Sequence, residues 1–196
     1  MSTAKPQAGQ LVVISGPSGS GKTSIIERLR AHPRVQVSVS VTTRKPRAGE
    51  VDGVHYTFVD RDTFLEMNAA GRFVETNDVF GNGTLYGSDS RELAEALAEP
   101  ERVYIMEVDT LGARNIRKAG YEGTYIFIAP PDAATLEQRL RSRGTDNNTE
   151  IERRLGRAAE ERAMAEADGT LIVTNDTIEN AARRILDTLG LDPANT

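Results

Sequence analysis

Residues 16–23 read Gly16-Pro17-Ser18-Gly19-Ser20-Gly21-Lys22-Thr23, the spacing G-x-x-x-x-G-K-[ST]. Glycines at these positions let the backbone fold back so that several N–H groups converge on phosphate oxygens. A helix that starts at Lys22 would aim its positive dipole end at the same point. The Lys22 ammonium would reach terminal phosphates, and the Thr23 hydroxyl would serve a Mg²⁺ ion. The motif therefore points to a nucleoside triphosphate or a similar phosphate ligand. By itself it does not separate kinase, GTPase and motor.

Four further groups of residues carry chemistry. In Thr42-Thr43-Arg44-Lys45-Pro46-Arg47, Arg44 and Arg47 flank a stiffening proline. Guanidiniums match phosphate oxygens as a fork, so a nucleoside monophosphate would suit them; the alternative is a solvated basic turn. Tyr56, Glu75, Tyr86 and Ser88 are spread along the next stretch. Tyrosine hydroxyls can donate to phosphate, and the Glu75 carboxylate can accept two parallel hydrogen bonds, which the N1/N2 edge of guanine offers and adenine does not. The alternative is a surface glutamate with two packing tyrosines. Glu107-Val108-Asp109 follows an apolar run, where an acid can hold Mg²⁺ or its waters. Finally, Arg139, Arg141 and Arg143 precede Arg153, Arg154 and Arg157. Arg139, Arg143 and Arg154 are assigned to the charge of phosphoryl transfer, and Arg141, Arg153 and Arg157 to solvent or to helical ion pairs with Glu150, Glu160 and Glu161.

The elements that must position these groups follow from hydrophobic periodicity. Leu11–Ile14 is a short apolar run before the phosphate loop and reads as a buried strand; Ile25, Ile26 and Leu29 recur after it at helical spacing. The runs Val103–Met106, Tyr125–Ile128 and Thr170–Val173 read as further buried parallel strands. Helices are expected over 110–119, 132–142 (with Asp132 as its cap), 151–167 and 177–189. Strands alternating with helices imply an α/β fold, a parallel sheet covered on both faces. Residues 35–90 break this rhythm. Val37–Val41 alternates as one half-exposed strand would, and 56–59 and 72–75 read as two more. The expected organisation is a tail over 1–9, a core over 10–34 and 91–196, and a small, mostly antiparallel insert over 35–90 that overhangs the triphosphate. The polar, turn-rich residues 143–150 suit a lid, set at about 143–155.

Composition narrows the classes. The chain has 196 residues, 38% hydrophobic and 27% charged, with a formal net charge of −5. Such a balance gives no footprint for nucleic acid or an acidic membrane. No apolar stretch is long enough to span a bilayer, and the first ten residues lack a hydrophobic signal core. There is no cysteine and there are two histidines, which excludes disulfides, thiolate catalysis and cysteine-based zinc sites. A cytoplasmic protein, monomer or homodimer, fits these features.

Taken together, these segments resemble the guanylate kinase family over nearly the whole chain, from about Gln10 to the last helix. The resemblance rests on Ser15–Thr23, on Ser38–Glu50, on Gly53-Val54-His55-Tyr56 with Phe58, on Tyr86-Gly87, on Phe127–Pro131 and on Arg139–Gly144. The second stretch discriminates, because phosphate loops are common and it is not. The resemblance implies phosphoryl transfer from ATP with Mg²⁺ to GMP, giving ADP and GDP. It implies that Arg44, Arg47, Tyr56 and Tyr86 hold the GMP phosphate, that Ser40, Glu75, Ser88 and Asp109 read the guanine, that residues 16–23 hold ATP, with the metal beside Thr23 and Glu107, and that Asn175-Asp176 lie near the adenine. Three departures from the family pattern stand out. Asn82–Gly87 is two residues longer and has one tyrosine fewer, Glu107 replaces an aspartate, and the lid Asp146–Thr149 is less acidic. Rival readings are a GTP-hydrolysing switch, from the D-x-x-G of Asp109–Gly112, an inactive guanylate-kinase-like binding module, and a sugar-phosphate kinase on a similar fold.

Overall fold

A computed structural model of the protein describes residues 8–47, 49–78, 83–142, 144 and 147–191. Strand β1 (Gln10–Ser15) leads through the phosphate loop into helix α1 (Lys22–Arg30) and then β2 (Val35–Val37). Four short strands follow, β3 (Val41–Thr42), β4 (Thr57–Phe58), β5 (Phe73–Asn77) and β6 (Tyr86–Asp89), with helix α2 (Arg61–Ala69) between β4 and β5. The chain continues as α3 (Ser90–Ala98), β7 (Val103–Glu107), α4 (Thr110–Lys118), β8 (Thr124–Ala129), α5 (Ala133–Ser142), α6 (Asn148–Ala167), β9 (Leu171–Thr174) and α7 (Ile178–Thr188).

The first sheet has five parallel strands in the order β2-β7-β1-β8-β9. Alternation along its strands explains its two cores. Val12, Ile14, Val103, Ile105, Ile126 and Ile128 face α1 and α7, whose Ile25, Ile26, Leu29, Ile185 and Leu186 close that side. Leu11, Val13, Tyr104, Met106 and Tyr125 face the other way, against Leu93 of α3 and Ile116 of α4. Phe127 and Ala129 meet Ala165 of α6 on that same side. A strand buried on both faces must be apolar at every position, hence the continuous runs. Among the described residues, no helix is long and apolar enough to cross a membrane.

The second sheet has four strands in the order β4-β3-β6-β5; β3–β6 and β5–β6 are antiparallel and β3–β4 is parallel. Its β5 docks through Val74 into the core cluster shared with α3 and α4. A register shift between Phe73 and Glu75 lets Val74 turn into that core while Glu75 stands opposite Ser88.

Two local expectations change. The alternating run 37–41 is not one strand. Val35–Val37 pairs with Val103–Ile105 in the first sheet, and Val41–Thr42 pairs with Gly87 and Tyr86 in the second. Alternation reports one buried face, not which sheet supplies it, and the two pieces bury their faces against different partners. The expected tail also ends earlier: residues 1–7 lie outside the described residues, but Gly9 N–H donates to Leu97 O at 3.1 Å and Gln10 opens β1. The four helices expected from periodicity start and stop within three residues of their limits, whereas α2 and α3 were not anticipated, and Asp132 caps α5 by accepting from Thr135 N–H at 2.6 Å.

Candidate active site

The phosphate loop closes tightly because two of its glycines have no substitute. Gly16 has φ +143, and a Cβ there would lie 2.4 Å from Ile128 O of the neighbouring strand. Gly21, at φ +90, would place a Cβ 2.3 Å from the Asn175 amide nitrogen. Gly21 is also the N-cap of α1 and brings no side chain to that helix end. The first-turn N–H groups are thus directed to whatever the loop holds, an arrangement suited to an anion. The Lys22 ammonium lies across the loop, donating to Gly16 O at 2.5 Å and Pro17 O at 3.2 Å.

Three side chains brace this loop from below and above. Asn175, buried at the end of β9, donates through Nδ2 to Ser20 O at 2.7 Å. Arg139 of α5 donates to Ser20 O at 3.3 Å and to Asn175 O at 3.1 Å. Arg154 of α6 donates to Ser18 Oγ at 3.0 Å while its Nε holds Glu150 at 3.1 Å. Asp176 accepts from Arg184 at 2.8 Å instead. Arg143 lies outside the described residues. Arg141 and Arg153 pair with Glu137 and Glu150 on their own helices, both at 2.7 Å.

At the carboxyl end of β7, Glu107 stands next to the loop. Burial holds its carboxyl above the usual range, against the opposing pull of Lys22 and, more weakly, of the Thr23 hydroxyl. Thr23 and Glu107 therefore offer two hard oxygen donors side by side. Among the described residues, no group of three or more His, Cys, Asp or Glu gathers to hold a metal by itself.

The second sheet carries a cationic cluster. Arg44 forms a two-pronged pair with Glu50, at 2.8 and 3.0 Å, and lies 5.3 Å from the Tyr56 ring centroid and 5.7 Å from that of Phe58. The Glu50 pairing raises the Arg44 pKa against burial, and Tyr86 adds to the rise. The same pairing, helped by the Arg47 N–H, brings Glu50 down to about 2. The Tyr86 ring meets Tyr56 edge-on at 6.0 Å. Burial raises the Tyr56 hydroxyl, with Glu107 the next contributor, so this cluster lies within electrostatic reach of that carboxylate. Arg47 contributes its backbone N–H to Glu50 at 2.7 Å and keeps an exposed side chain.

A second cluster sits where the second sheet meets α4. Ser88 donates through Oγ to Glu75 Oε1 at 3.1 Å. Burial lifts the Glu75 carboxyl to about 7, and the nearby Asp109 adds to the rise. Asp109 caps α4, accepting from Gly112 N–H at 2.7 Å, and its other oxygen accepts from Asn77 Nδ2 at 2.7 Å. Gly112 matters by its size: a Cβ there would stand 3.1 Å from Asp109 Oδ1 and 3.4 Å from Glu75 Oε2. Ser40 contributes its carbonyl to Thr57 N–H at 3.0 Å, at the crossing between the two sheets.

A model of the guanylate kinase family matches residues 8–190. The chain belongs to the guanylate kinase family. It is 46% identical to the guanylate kinase of Carboxydothermus hydrogenoformans over 174 residues, covering 88% of this chain and 83% of that protein. Its identity to the guanylate kinase of Thermosynechococcus vestitus is 44% over 177 residues, with 90% and 91% covered. The crystal structure of guanylate kinase from Anaplasma phagocytophilum superposes with a TM-score of 0.73 at 31% identity, over 94% of this chain and 86% of that one.

Within this guanylate kinase fold, the described end of the 82–87 loop, from Gly83, runs into β6. Tyr86 stands opposite Thr42 and Asn77, and Ser88 opposite Glu75. Thr42 and Thr43 fix the loop's far end through Thr42 Oγ1 to Leu85 O and Leu85 N–H to Thr43 Oγ1, both 3.0 Å. Inspection of the sequence missed two residues of the site. Glu50 had a signal, an acid placed among basic turn residues at 44–47. Asn77 had none, since Thr76-Asn77-Asp78 reads as an ordinary strand end and its partner Asp109 is far along the chain.

Proposed function

We infer that the protein catalyses ATP + GMP = ADP + GDP by in-line phosphoryl transfer. The observation that carries this reading is a second sheet with two chemically different ends. There the Arg44–Tyr56–Tyr86 cluster is cationic and lies within electrostatic reach of Glu107, while the Glu75–Ser88–Asp109 cluster, two residues further along β6, is acidic and largely buried. A nucleoside monophosphate would place its phosphate on the first end and its base on the second.

ATP would lie in residues 16–23, with Lys22 on its terminal phosphates. Arg139 and Asn175 would act on it through the Ser20 carbonyl they support, and Asp176 would lie near the adenine. Arg44, Arg47, Tyr56 and Tyr86 would hold the GMP phosphate, with Arg44 exchanging its Glu50 contact for substrate oxygens. Glu75, Ser88, Asp109 and Ser40 would read the guanine. A carboxylate in this position accepts from N1–H and N2–H and leaves adenine mismatched, and such sites discriminate by ~10⁴–10⁵. Thr23 and Glu107 suit Mg²⁺, which keeps several waters and takes other ligands from phosphates, so two protein oxygens suffice. That ion would neutralise charge on the transferring group. No strong base is required, because a phosphate monoester has its second pKa near ~6. A substrate oxygen attacks the γ-phosphorus as the bond to the β-phosphate oxygen breaks. Arg139, Arg143 and Arg154 supply charge along that path. In this reading the acceptor-binding insert, expected over 35–90, starts only after Val35–Val37, which belongs to the first sheet, and about 143–155 form the lid. Soluble nucleotide substrates suit the expected cytoplasmic location.

The GTPase reading has less support, since the D-x-x-G spacing is met by Asp109 capping α4 on Gly112. The test is a coupled ADP-release assay with GMP, AMP, CMP and UMP as acceptors. Strong preference for GMP is expected. Equal rates with AMP, or ADP release without any acceptor, would refute the reading.

A further inference from the structure

Helix α6 touches both halves of the site. Near its start Arg154 holds Ser18 Oγ of the phosphate loop at 3.0 Å. Two turns further along, about 10 Å by helical rise, Glu161 turns inward. Its side chain is 14% exposed, whereas that of its ion-pair partner Arg157 is 43% exposed. Glu161 Oε1 accepts from Arg157 Nε at 3.0 Å, and Oε2 accepts from the Thr110 hydroxyl at 3.3 Å. Thr110 is 5% exposed and is the first residue of α4. The residue before it is Asp109, which caps the same helix and takes the Asn77 amide from the second sheet at 2.7 Å. Lys22 also lies within electrostatic reach of Glu161. An ordinary surface pair spaced four residues apart would leave its carboxylate in water and touch no other element. This one reaches across to α4 at the residue next to the base-reading carboxylate.

We propose that Glu161 is a positioning residue that fastens α6 to Thr110 at the base-reading end of the pocket, so that occupancy of the phosphate loop and of the acceptor pocket favour one another. The inference rests on the ATP and GMP assignment above. A triphosphate that orders Ser18 and Arg154 fixes a stiff helix near its start, and Glu161 two turns on then holds Thr110 and the Asp109 cap in one place. Binding at the second pocket meets a site already ordered, and by linkage the effect is mutual.

Titration calorimetry on the full chain tests this. GMP is titrated with and without a saturating, non-hydrolysable ATP analogue and Mg²⁺. The wild-type protein should bind GMP about fivefold or more tightly with the analogue present. Thr110→Val keeps the side-chain shape and removes only the hydroxyl. It should bring that ratio to within about twofold of one, while affinity for GMP alone stays within about twofold of wild type, and Thr110→Ser should restore the ratio. Glu161→Gln keeps an acceptor for Thr110 but loses the charge, and its ratio should fall between the two. A ratio in Thr110→Val equal to that of the wild type, a wild-type ratio of one, or no drop in Glu161→Gln would overturn the inference. GMP turnover by the same wild-type preparation separates the two levels. Absent turnover sinks the GMP assignment, and turnover with an unchanged ratio in Thr110→Val sinks this inference alone.

Discussion

Lowering the pH from 8 to 6 should weaken GMP binding by about tenfold through Glu75 alone. The free carboxyl is lifted to about 7 by burial, with Asp109 adding to the rise and Ser88 opposing it. Guanine needs the carboxylate, so apparent affinity scales with the ionised fraction. That fraction is about one in eleven at pH 6 and about ten in eleven at pH 8. The GMP phosphate itself titrates near ~6 and adds about a further twofold at pH 6. Glu75→Gln isolates the two effects, since it should keep only the phosphate's share while binding GMP more weakly at every pH. The stability of the protein should move the other way. A carboxyl at 4.5 when unfolded and about 7 when folded gives stability that is complete below pH 4.5 and is lost as pH rises through 7. The shift corresponds to about 3 kcal/mol as an upper bound, so Glu75→Gln should be more stable than the wild type at pH 8 and no more stable at pH 4.5. Calorimetric titration at pH 6, 7 and 8 and denaturant unfolding at pH 4.5 and 8 measure both. A wild-type affinity that varies with pH no more than that of Glu75→Gln would refute the placement of this carboxylate at the base.

Three further outcomes follow from the same geometry. Gly16→Ala should unfold at lower temperature and lose ATP binding, because a Cβ would meet Ile128 O at 2.4 Å in a backbone conformation that side chains rarely adopt; scanning calorimetry and nucleotide titration read this out. Arg44→Lys should raise the KM for GMP by at least about tenfold and leave the KM for ATP nearly unchanged, since an ammonium cannot replace the two-pronged fork now seen against Glu50. Lys22→Met should lower kcat by ~10²–10³ with circular dichroism unchanged, as expected for one lost charge-stabilising donor.

Sequence alone settled the parts whose reasons are local. The phosphate loop is eight contiguous residues, and glycine's backbone freedom together with a following helix makes its shape legible without knowing any neighbour. The strands at 11–14, 103–106 and 125–128 announced themselves because burial on both faces demands unbroken apolar runs. The tertiary structure decided whatever depends on pairing across the chain. The run 37–41 divides between two sheets because alternation carries no record of its partner. Glu75 meets Ser88 through an antiparallel register and a bulge, and meets Asp109 only because Val74 docks β5 beside α4. Asn77, Thr110 and Glu161 look like ordinary polar residues along the chain. They acquire a role from hydrogen bonds spanning more than thirty positions, and the geometry of such bonds is fixed by how helices and sheets stack rather than by any short pattern of residues.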